Sequence, residues 1–107
     1  MTRRRLIFDS AAREDFDDIF EWIADHAGVR TARNYTNRIA AFCSRLDLFP
    51  ERGTRRDDLR PGLRLLGFER RMTVAFQVKA DAVVILRLLY GGRDIDAILG
   101  QDEVDEL

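Results

Sequence analysis

Apolar residues along the chain fall into two periods, one of three to four residues and one of two. Over 10–27, Ala12, Phe16, Ile19, Phe20, Ile23 and Ala27 recur at three- and four-residue steps, which is one face of a helix. Ser10 stands where an N-cap is needed. Glu14 and Asp15 follow in the first turn, where the helix dipole favours acids. Gly28 ends the element, and Trp22 flanks its stripe. A second helix is predicted from about Val29 to Leu48 on the stripe Ala32, Tyr35, Ile39, Phe42, Cys43, Leu46 and Phe49, stopped by Pro50. So short a connection makes the pair an antiparallel helix hairpin.

Strand-like runs occupy the rest. Arg5–Phe8 is a short first strand, and Gly62–Phe68, Met72–Lys79 and Ala82–Tyr90 are three more. Val74, Phe76 and Val78 alternate with Thr73, Ala75 and Gln77, the period of a strand with one packed face. Ala82–Tyr90 is apolar at nearly every position, as a central strand requires. Ala80 and Asp81 form a tight hairpin connection, and Glu51–Asp58 reads as a charged loop. Gly91-Gly92 breaks the last strand, and Ile95–Leu99 has room for one helical turn. The prediction is an α+β fold, strand–helix–helix–three strands, with the helix hairpin packed on one face of an antiparallel sheet. Residues 1–100 form a single domain, and 101–107 is an acidic C-terminal tail with the composition of a solvated end.

Composition narrows the chemistry. The chain has 107 residues, 46% of them hydrophobic, enough for one core without disulfides or metals. Cys43, the one cysteine, sits in the helical stripe and reads as a packed residue, not a nucleophile. With His26 the one histidine, no Cys/His metal site can be built, and the helix-end position of His26 reads as solvated. Asp17-Asp18, Asp57-Asp58 and Asp94/Asp96 are pairs without a third ligand type nearby, so no metal is expected. Gly91-Gly92 falls far short of a phosphate loop, and no cofactor is expected. No apolar run approaches the roughly 20 residues that span a bilayer, and no signal-peptide core follows the basic start. A soluble cytoplasmic protein is the expectation.

Charge adds an asymmetry that the net value of −1 hides. Asp9–Asp25 is mostly acidic, Arg30–Arg71 is net basic, and of the 18 basic residues only Lys79 is lysine. A pI near 5.8 is low for a protein that works on RNA or DNA, so no direct, specific nucleic-acid binding is expected. Arginine suits bidentate recognition of carboxylates or phosphates. Arg64, Arg71 and Arg87 interrupt strands that are otherwise apolar. They have two readings: structural pairs with Glu69, Asp81 or the first helix, or contacts to acidic groups of a partner.

Ser10–Ile19, Trp22-Ile23-Ala24, Phe49-Pro50-Glu51-Arg52-Gly53, Asp58–Arg64 and Val84–Ile95, in this order and spacing, resemble the ParE toxins of the RelE/ParE superfamily of bacterial type II toxin–antitoxin systems. The resemblance covers nearly the whole chain. Two departures stand in the last motif: Tyr90 replaces a histidine common in the family, and Gly92 replaces an arginine. Met72 and Phe76 also stand where tyrosine is frequent. The resemblance implies a toxin without chemistry of its own, neutralised by a ParD-like antitoxin in a hetero-oligomer and acting on DNA gyrase. RelE-type relatives are ribosome-dependent mRNA endonucleases, which gives one alternative. In that case the arginines would hold a phosphate and Tyr90 would act as acid or base. A non-toxic homologue that only binds its antitoxin is another.

Within this reading no residue is catalytic. The hairpin carries more aromatic surface than one small sheet face covers, and leftover apolar area marks a contact site. Phe16, Phe20, Trp22 and Tyr35, with Arg64 and Arg71, are therefore the expected antitoxin contacts. Arg87, Tyr90, Arg93 and Asp94, where the chain leaves the sheet, are the expected target contacts, on a surface separate from the hairpin.

Overall fold

The computed structural model describes residues 4–91 and 95–104. Its elements run β1 (Arg5–Phe8), α1 (Ser10–Ala27), α2 (Val29–Ser44), a 3₁₀ turn at Arg45–Asp47, β2 (Thr54–Arg55), β3 (Leu63–Phe68), β4 (Met72–Val78), β5 (Ala82–Tyr90) and α3 (Ile95–Val104). The strands form one sheet in the order β1-β5-β4-β3-β2. β2 to β5 pair antiparallel, whereas β1 joins β5 parallel, with Arg5 opposite Ala82 and Phe8 opposite Ile85. The strand β2 lies inside the expected charged loop; its two exposed residues carry no apolar alternation by which to recognise it.

Asp9, not Ser10, caps α1: its carboxylate accepts from the Ala11 N–H at 3.4 Å, and Ser10 is already helical. Gly28 alone joins the two helices. It stands at φ 95°, where a side chain would be strained. Its N–H reaches the Ala24 carbonyl and its own carbonyl accepts from Ala32, so it closes one helix and opens the next. α2 is shorter than predicted, because its last turn tightens at Arg45–Asp47.

Helix stripe and sheet meet in the main core. Ala12, Ile19 and Ile23 from α1 and Ala32, Ile39 and Cys43 from α2 pack with Val74, Phe76, Val83, Ile85 and Leu88. Burial of Phe76 alone removes a whole aromatic ring from water, worth about 2–3 kcal/mol. The opposite sheet face is also covered. Leu63, Ala75 and Leu86 bury Leu99 of α3, with Ile95 against the same cluster. α3 is therefore a packed element that runs to Val104, beyond the single turn expected at Ile95–Leu99 and into the sequence read as a tail.

Opposite the junction of Ala75 and Phe76, β5 carries an extra residue: Ala75 pairs with Arg87 and Phe76 with Ile85. Leu86 then packs on the α3 side, while Arg87 reaches Asp15 on α1. Such a bulge re-aims a side chain without ending the strand.

Candidate functional site

Asp15 belongs to the buried stripe of α1, between Ala12 and Ile19, and its carboxylate is 9% exposed. Both its oxygens accept from Arg87, Nε at 2.8 Å and Nη2 at 2.9 Å. It also accepts from the Leu88 N–H at 2.9 Å. β1 has ended by then, opposite Ile85, so the carboxylate serves the β5 edge in place of a strand neighbour. A bidentate charged pair with a third donor meets the condition for burying an acid. Of the two readings of Arg87, the structure realises the pairing with the first helix.

Beyond this pair the hairpin and sheet open into two adjoining grooves that share Trp22 and Tyr90. One, about 360 Å³, is flanked by Asp15 and Asp18. The other, about 450 Å³, is flanked by Arg38, Glu69 and Arg71 and includes Tyr35. An acidic hollow and a basic one thus meet at an aromatic ridge. Trp22, 51% exposed, stacks on His26 with ring centres 4.0 Å apart and tilts against Tyr90 at 6.1 Å. The ring contacts continue inward from Tyr90 to Tyr35, Phe68 and Phe42. Arg38 lies over the Tyr35 ring at 5.3 Å and donates to both oxygens of Glu69 at 2.8 and 3.0 Å. These bonds hold the Glu69 carboxyl below its usual range. Burial, with the nearby Tyr90, pushes the Tyr35 hydroxyl up to about 12.

The predicted contact residues divide accordingly. Trp22, Tyr35, Arg71 and Tyr90 come together in the basic groove. Phe16 and Phe20 are half-buried against the main core, and Tyr35 is buried, its ring part of that core. Arg64 stands elsewhere, near the start of β3, donating to the Arg52 carbonyl at 3.5 Å. Arg93 and Asp94, with Gly92, lie outside the described residues. The expected separation of hairpin and strand-end surfaces does not hold at Tyr90, which touches Trp22 directly. His26, read from its helix-end position as solvated, stacks on Trp22 and is one ring away from the end of β5.

Some members escaped the sequence. Asp15 could have been found, as an acid at core spacing in α1 that needed a cation. The Arg38–Glu69 pair joins α2 to the β3–β4 turn, 31 positions apart, and no local pattern announces it. Burial raises the Cys43 thiol to about 12, in keeping with a packed, unreactive side chain. Among the described residues no group of three metal-ligating side chains assembles, and no helix is long and apolar enough to cross a membrane.

Comparison with known proteins bears on what this surface serves. Residues 6–95 match the family model described as the ParE toxin of the type II toxin–antitoxin system parDE. Toxin ParE3 of Caulobacter vibrioides is 36% identical over 97 residues, which is 91% of this chain and 96% of that protein. Among solved structures, a chain of the chromosomal ParDE TA system from P. aeruginosa superposes with a TM-score of 0.73 at 25% identity. That match covers 84% of this chain and 98% of the other.

Proposed function

Because the chain belongs to the ParE toxins of type II toxin–antitoxin systems, we propose that it inhibits DNA gyrase by protein–protein binding and is neutralised by a ParD-like antitoxin. Support for binding at the hairpin comes from one observation above the others. Trp22 stands half exposed on a ridge between hollows of opposite charge. A disordered antitoxin segment that folds across it gains apolar burial at Trp22 and ion pairing on both flanks, which offsets the cost of ordering. No catalytic role is assigned to any residue. Of the strand arginines that could hold a phosphate, Arg87 is paired with Asp15. The site of action in this reading is the cytoplasm, where gyrase works.

Replacing Trp22 with glutamate tests the placement. The surface position leaves the fold intact, and calorimetry with a ParD-like antitoxin that binds the wild-type chain shows affinity lowered by more than about tenfold. Co-expression of that antitoxin relieves growth arrest by the wild-type toxin and fails to bind the variant. Unchanged affinity moves the antitoxin to another surface.

A further inference from the structure

We propose that Tyr35 and Arg71 form a carboxylate-binding site in the basic groove, which takes one acidic side chain of the neutralising antitoxin; this rests on the antitoxin reading above. Tyr35 is 8% exposed, and its buried hydroxyl has no hydrogen-bond partner among the described residues. Buried hydroxyls are paired as a rule, so an unpaired one at a groove calls for an acceptor from outside. The hydroxyl stays protonated at any physiological pH, because burial raises it to about 12, and it can donate.

Charge selects the acceptor. Three charged groups flank Tyr35 in the groove, and two of them, Arg38 and Glu69, neutralise each other through two hydrogen bonds. Among the described residues no carboxylate pairs with the guanidinium of exposed Arg71. A carboxylate accepts from the guanidinium and the hydroxyl at once, as a neutral amide would do only weakly. The turn that carries this cation is itself strained. Glu69 at φ 49° and Arg70 at φ 66° both occupy the left-handed region without being glycine. Such strain gathers where a turn must hold neighbouring groups in place. Here it sets Glu69 on Arg38 and leaves Arg71 beside the groove. The Tyr90 ring stands edge-on to Tyr35 with centres 6.0 Å apart and lines the same groove.

The experiment compares Tyr35→Phe and Arg71→Gln with wild type, by calorimetry against a purified ParD-like antitoxin, with a thermal melt of each free chain. Both variants bind about tenfold more weakly or worse. Tyr35→Phe melts at the wild-type temperature or above, because it removes an unpaired polar atom from the interior. A merely structural tyrosine would lose stability and affinity together. In the antitoxin, one acid-to-amide substitution costs as much as Tyr35→Phe and adds little to it. Wild-type affinity in Tyr35→Phe overturns the site, and so does an antitoxin in which every acid tolerates amidation. If wild-type toxin forms no complex, the antitoxin reading fails first and takes the site with it.

Discussion

An aspartate on the apolar face of a helix is expensive unless a cation answers it, and here the answer comes from 72 positions away. Asp15→Asn keeps an acceptor for the Leu88 N–H but removes the charge from the bidentate pair with partly buried Arg87. The expected cost is about 3 kcal/mol in denaturant unfolding; a loss under about 1 kcal/mol would mean that water already screens the pair. Two acidic groups of the interior give a second test. Cys43 and Tyr35 ordinarily ionise at 9.0 and 10.0, and burial raises both to about 12. The unfolded chain therefore loses these protons first. Stability from them is complete below about 9 and falls as pH climbs towards 12. Urea midpoints that stay level over that interval would show that neither group is as buried as described. At this scale the sequence was legible where one residue declares its setting, as Cys43 does in its stripe. Tyr35 was legible as a stripe residue but not as a core one. Its reach to Phe68 and its orphaned hydroxyl depend on the sheet beneath.

Elements were easier to read when they obeyed a period. The hairpin and β3 to β5 follow the apolar repeats closely: each helix buries one stripe, and the central strands are apolar where they meet the two clusters on the opposite faces of the sheet. β2 is too short for a period, and the parallel seating of β1 on β5 is a property of register that the chain order leaves open. α3 is the larger difference. Its apolar residues answer a second, smaller cluster on the far sheet face, so Leu99 is 1% exposed in a region that reads as nearly terminal. Leu99→Ala should cost about 2–3 kcal/mol, measured by thermal or chemical unfolding. Full stability in that variant would show that α3 is not needed on the sheet. The same packing alters how the C-terminal segment must be probed. Truncation after Gly91 removes Ile95 and Leu99 and uncovers Leu63, Ala75 and Leu86, so it tests the fold as well as toxicity. Substitution of Tyr90 with serine, outside the α3 cluster, tests the expected target contact with that packing intact.

At the scale of the molecule, the fold brings two charged hollows and one aromatic ridge to the seam of hairpin and sheet. Family membership could be read from ordered motifs along the chain, and it follows equally from the match over residues 6–95. What the motifs did not convey is that Trp22 and Tyr90, assigned to different partners, touch. If Trp22 seats the antitoxin, as proposed, the same segment also covers Tyr90, the expected target contact. The decisive measurement is a gyrase assay with purified wild-type protein, supercoiled plasmid and ATP. The account predicts loss of supercoiling, accumulation of cleaved DNA, and reversal of both when the antitoxin is added. Unimpaired gyrase, together with new cuts in ribosomal A-site codons on induction, would contradict it and make the protein a nuclease.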